Sequence, residues 1–116
     1  MALLEAAVSG VLETSGIAGA ALLDGVTGFA YGSAGDASAA EDAHDLAHIA
    51  ATGLNRAGFE GELESLIVTT SRSHHVVLRL EREGDPLLLC ALADRDRTNI
   101  AWVLRELTAR ADRLLA

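Results

Sequence analysis

"GELESLIVTTSRSHHVVLRLEREGDPLLLCALAD", residues 61–94, holds three strand-length runs separated by short polar breaks, and each run carries a different face pattern. Alternate side chains of a strand point to opposite faces, so a run apolar at every position must be covered on both. "PLLLCALAD" is such a run, whereas "HVVLRLE" keeps Val76, Leu78 and Leu80 on one face and His75, Arg79 and Glu81 largely on the other. "LIVTTS" is more polar through Ser65, Thr69, Thr70 and Ser71. The last run therefore belongs inside a sheet, while "LIVTTS" suits an edge, where unpaired backbone groups are open to a partner.

Upstream, "IAGAALL" is again apolar on both faces and is a second central strand. It closes on Asp24 and Gly25, and "FAYGS" follows after Val26, Thr27 and Gly28. A hairpin with strands over 17–23 and 28–33 is the economical reading. A first helix over 2–14 carries Leu4, Val8, Val11 and Leu12 on one side, with Gly16 as its stop. The final segment, 98–115, returns to helical spacing with Ile100, Val103, Leu104, Leu107, Ala111 and Leu114 on one stripe, and Thr98 or Asn99 as its N-cap.

Between the hairpin and the three strands lies "SAAEDAHDLAHIAATGLNRAG", residues 38–58. Ser38 with Glu41 three residues on forms a capping box, so a helix starts there and runs to Ala57, with Gly58 supplying the left-handed residue that ends many helices. Ala39, Ala43, Leu46, Ala47, Ala50, Ala51 and Leu54 gather on one side of it. Such a stripe sits on its own sheet or, in addition, meets a second helix from a partner at short range.

The same helix carries His44 and His48 one turn apart, a spacing that binds Zn²⁺ when a third ligand and supporting hydrogen bonds are supplied. HExxH chemistry needs a glutamate after the first histidine, and here that position is Asp45, expected to point away from the pair. Glu41, the nearest third ligand, is occupied by the capping box, and Asp42 suits the positive end of the helix dipole. No metal and no cofactor are expected. His74 and His75 begin a strand and point to opposite faces, so they cannot act on one atom. No serine lies in a GxSxG turn, and nucleophilic catalysis has no visible machinery. The glycines at 25, 28, 32 and 35 read as turns, since a P-loop needs a lysine that the chain lacks. Asp94, Arg95, Asp96 and Arg97 read as a solvated loop or a polar contact for a partner.

Composition agrees with a single domain spanning 1–116: 116 residues, half of them hydrophobic, 3% aromatic, with a core built from Ala, Leu, Val and Ile. The net charge is -8 and every basic residue is arginine, with no basic stripe, so nucleic acid is excluded as a partner. One cysteine, Cys90, in an apolar run, excludes a disulfide framework and a cysteine-based zinc site. Uncharged runs fall short of the ~20 residues of a transmembrane segment. With no positively charged leader, a cytoplasmic location is expected.

The element order, helix, two strands, helix, three strands, helix, together with "SGIAGAALLDGVTGFAYGS", the Ala-rich middle helix, "GELESLIVTTSRSHHVVLRLE" and "LLLCALADRDRTNIAWVLREL", resembles the roadblock or dynein light-chain-type family. The resemblance covers nearly the whole chain. It implies an α/β (α+β) roadblock/profilin-like fold with a five-stranded antiparallel sheet in order 2-1-5-4-3, terminal helices on one face and the middle helix on the other. It also implies a non-enzymatic homodimer that regulates or scaffolds a Ras-like small GTPase, through paired middle helices and third strands. That places Ala43, Leu46, Ala47, Ala50, Ala51 and Leu54, with Ile67 and Thr69, at the dimer interface. The lysine-free, Ala-rich composition resembles chains of high-GC bacteria, where such proteins work beside a small GTPase and a sensor-kinase-like protein. The competing reading is a PAS- or profilin-like sensor holding a small ligand between middle helix and sheet, which needs room that an Ala-lined contact is expected to deny.

Overall fold

A computed structural model describes residues 10–11, 16–36 and 42–115, with Leu114 and Leu115 described by backbone alone. Strands β1 (Ile17–Asp24), β2 (Ala30–Gly35), β3 (Ser65–Thr69), β4 (Ser73–Leu80) and β5 (Leu87–Asp94) form one antiparallel sheet in order β2-β1-β5-β4-β3. Helix α1 (Ala43–Arg56) joins β2 to β3, and helix α2 (Ile100–Leu115) follows a single 3-10 turn, Arg95–Arg97. The two strands apolar on both faces, β1 and β5, are the central pair, and the polar β3 is an edge.

Alternation divides the core into two layers. On one side Leu22, Val76, Leu89 and Ala91 pack with Val103, Leu107 and Ala111 of α2, and with Val11. On the other, Ala21, Leu23, Val77, Leu88 and Cys90 pack with Ala43 of α1. The helices therefore cover opposite faces, and the α1 layer is the thinner one because alanine supplies little volume. The helix expected over 2–14 lies outside the described residues except for Gly10 and Val11, which are helical. Val11 is fully buried among α2 residues, on the face expected of the terminal helices.

Boundaries shift by a few residues for identifiable reasons. The hairpin turn is wider than Asp24-Gly25 alone. Asp24 accepts hydrogen bonds at its carboxylate from the amides of Val26 (2.8 Å) and Thr27 (2.9 Å), and its own amide donates to the Phe29 carbonyl (2.7 Å). Residues 25–29 are thereby held as a loop, so β2 begins at Ala30 instead of 28. Helix α1 starts at Ala43, after Asp42, which makes no side-chain capping bond; Ser38, Ala39 and Glu41 lie outside the described residues.

At its other end, the amide of Gly58 bonds the Asn55 carbonyl (3.1 Å) and that of Phe59 the Leu54 carbonyl (3.0 Å), with Gly58 at φ +86°. This paired pattern satisfies the last carbonyls and needs a residue that tolerates positive φ. Asn99, not Thr98, caps α2: its Oδ1 accepts from the amides of Ala101 (3.0 Å) and Trp102 (3.3 Å). No described helix is long and apolar enough to cross a membrane.

Candidate functional site

Helix α1 presents two different flanks, where the sequence suggested one stripe. Ala43 is 4% exposed and Ala47 partly buried, both packed against the sheet layer. Turning by 100° per residue, Leu46, Ile49, Ala50 and Gly53 form a row that turns outward from the Ala43 flank, and Leu54, between the azimuths of Ala43 and Ala47, continues it at the end of the helix. Within it Ile49 is 66% and Leu54 42% exposed, and a Cβ placed on Gly53 would meet nothing within 4 Å. The row is apolar, meets no further element among the described residues, and is small at its middle, which allows another backbone to come close. Ile49 and Gly53 were not among the expected interface residues. The i, i+3, i+4, i+7, i+8 spacing from Leu46 was a legible signal for them.

The phase of β3 follows from its hydrogen bonds. Arg79 donates its amide to the Glu64 carbonyl (2.8 Å) and Thr70 to that of Ser73 (2.9 Å). In an antiparallel ladder, bonding alternates along the strand. Residues 64, 66, 68 and 70 therefore bond β4, and the amides and carbonyls of Ser65, Ile67 and Thr69 point outward at the free edge. The two β3 residues expected at an interface, Ile67 and Thr69, are on this outward set. Their side chains lie on the α2 side of the sheet, opposite Val76 and His74, while Leu66 and Val68 share the α1 side. Ile67 is 39% exposed, and the Thr69 hydroxyl is 2.7 Å from Nδ1 of buried His74.

The histidines of α1 have unlike surroundings. His44 Nε2 lies 3.2 Å from the Val26 carbonyl, and a Cβ on Gly28 (φ +79°) would come to 3.0 Å of its ring, so His44 ties α1 to the hairpin loop. Asp45 does not point clear of it: its carboxylate is 3.7 Å from His44 Nδ1. His48 is exposed. Among the described residues no three His, Cys, Asp or Glu side chains converge as metal ligands. Cys90 is buried in the α1 layer, and desolvation pushes its thiol up to about 12, which suppresses the thiolate that nucleophilic chemistry needs.

Asp24 holds the loop under His44. Hydrogen bonds from the amides of Thr27 and then Val26 lower its pKa below the ordinary 3.8, outweighing partial desolvation, with Tyr31 Oη adding a bond at 3.1 Å. A carboxylate depressed in the folded state stabilises fully above its unfolded pKa and loses that contribution as pH falls through the folded one. Asp24→Asn should therefore melt below the unaltered chain at pH 7, and the gap in melting temperature should close as pH is lowered beneath about 4. A gap of constant size would show that the charge of Asp24 is not what holds the loop.

Between the inner flank of α1, the 59–64 segment and the end of the sheet lies a cleft of about 840 Å³. This corrects the expectation that an Ala-lined contact leaves little room. Alanines at 47 and 51 supply too little volume to fill the gap beside the sheet, and Val77 and Leu88 floor it. His44, His48, Asn55, Arg79 and four carboxylates stand around it.

No protein-family model and no curated protein matches the chain. Solved structures do. A roadblock/LC7 domain from Streptomyces avermitilis is 20% identical, with 96% of this chain and 93% of that one covered at a TM-score of 0.74. Myxococcus xanthus MglB is 15% identical, with 97% and 92% covered at 0.76, and the gliding protein MglB of Thermus thermophilus is 16% identical, with 95% and 84% covered at 0.74. At these identities the likeness establishes the roadblock fold, in agreement with the resemblance read from the sequence.

Proposed function

We propose that the protein is a non-enzymatic homodimer that binds and regulates a Ras-like small GTPase. The observation that carries the reading is the outward row of α1, with Ile49, Gly53 and Leu54 exposed and Leu46 and Ala50 partly so, in a chain whose β3 edge has no partner strand among the described residues. A two-fold axis would set the row against its own copy and let Ser65, Ile67 and Thr69 of one edge bond the other, removing both liabilities at once. In this contact Ala43 and Ala47 also pack on the sheet and Ala51 lines the cleft, so the outward row makes most of it. The roadblock fold supports the regulatory role. No feature of the described surface bears on a sensor-kinase-like partner.

The GTPase half is tested by adding the protein to a Ras-like small GTPase encoded in the same genome. GTP hydrolysis or nucleotide exchange should change saturably with added protein. Unchanged turnover, together with a pull-down from native cells that recovers no small GTPase, would overturn that half and leave the dimer to be judged by sedimentation.

A second reading, a small-ligand sensor of PAS or profilin type, is favoured by one observation, the cleft between α1 and the sheet. Its size falls within the range of small-molecule sites.

A further inference from the structure

We propose that the cleft beneath α1 takes an organic cation: a protonated amine or similar head on an apolar body. The inference rests on the small-ligand reading of the cleft and adds the chemistry of the ligand. The floor is Val77 and Leu88 of the sheet with Ala47 and Ala51 of the helix, and Phe59 stands at one wall. That surface receives an apolar body. The polar wall is predominantly acidic: Asp45, Glu60, Glu62 and Glu64 line the cleft with one guanidinium, that of Arg79, and two histidines, His44 and His48.

Arg79 does not alter the balance in favour of an anion. Its Nη1 lies 3.3 Å from a Glu62 oxygen and its Nε 2.8 Å from a Glu81 oxygen, the latter a charge contact without an aligned hydrogen bond, with three-quarters of the side chain covered. Two carboxylates already neutralise it, and an anionic ligand would have to displace one of them. Glu60 and Glu64 are exposed at the rim, two positions to either side of Glu62 along the segment, and neither takes part in the pairing of Arg79. A cationic head placed there meets two carboxylates at the solvent-facing rim while its apolar body covers the floor. The cleft meets the proposed dimer face only at Ser65: His44, Ala47, His48, Ala51 and Asn55 of the helix line the cleft, and Leu46, Ile49, Gly53 and Leu54 do not.

The test uses the whole chain and three probes of equal length, octylammonium, octanoate and octanol, followed by NMR of the methyl groups. Octylammonium should shift Ala47, Ala51, Val77 and Leu88 saturably and bind at least ~10-fold more tightly than octanoate, with the advantage shrinking as salt is added. Glu60→Gln with Glu64→Gln, a change confined to the exposed rim, should weaken it about 3- to 10-fold without altering octanol binding. Ala51→Trp, which fills the cleft, should abolish the shifts. Octanoate or octanol binding in the cleft as tightly as octylammonium would overturn the cation assignment while keeping a ligand cleft. No saturable shift at those methyls with any probe would overturn both.

Discussion

Ile49→Asp is expected to sediment as a monomer at concentrations where the unaltered chain sediments as a dimer, with melting temperature and circular dichroism nearly unchanged. Ile49 is 66% exposed, so in the isolated chain its replacement removes little packing, and surface changes of this kind usually stay within about 0.5 kcal/mol. In the proposed dimer it is buried twice, once per copy. Each isoleucine lost from a buried contact costs about 1.5–3 kcal/mol, giving about 3–6 kcal/mol by symmetry, before the cost of an unpaired carboxylate is added. At about 1.4 kcal/mol per tenfold, the dissociation constant rises by roughly 10² to 10⁴. An unchanged sedimentation coefficient would remove the outer row of α1 from the interface. Ala47→Glu is the poorer experiment, because Ala47 packs in the core layer under the helix and a monomer could then reflect damaged folding.

Leu89→Ala is expected to cause the largest loss of stability among single changes considered, about 3–5 kcal/mol by denaturant titration. Leu89 is 0% exposed, sits between Leu22 of β1 and Leu78 of β4 in register, and packs in the layer closed by Val103 and Leu107 of α2. Both flanking strands hold the site open, so little collapse can refill the space. For a chain of this length the loss approaches half of a typical total stability and lowers the melting temperature by about 10–20 °C. Leu88→Ala, one residue earlier and facing the cleft, should cost less, since part of its surroundings is already open. Equal costs at 88 and 89 would mean that the α1 layer is packed as tightly as the α2 layer.

Much of the fold was legible because its signals are local. Two-sided apolarity in "IAGAALL" and "PLLLCALAD" requires cover on both faces, and those strands are the central pair. Ser65, Thr69 and Thr70 marked the edge. Gly58 and Asn99 announced helix ends through the chemistry of caps, and both make the expected bonds. The interface was legible only in outline. Alanine is equally acceptable against a sheet, beside a cleft or against another helix, so the stripe from Ala43 to Leu54 carried no information about which flank faced which neighbour.

The sequence by itself determined the order of elements, the identity of central and edge strands, and the alternation that places a helix on each face. Those follow from periods of two and 3.6 residues and from the hydrogen-bonding needs of strand edges and helix ends. Only the tertiary structure decided the rotation of α1 about its own axis, the outward phase of Ser65, Ile67 and Thr69, and the cleft beneath the helix. Rotation and spacing are settled by contacts between residues far apart in sequence. Where the contact is made of alanines, side-chain volume is too small to dictate either, so the position of His44 on the Val26 carbonyl and the packing of Ala43 on Val77, Leu88 and Cys90 become the anchors of the arrangement.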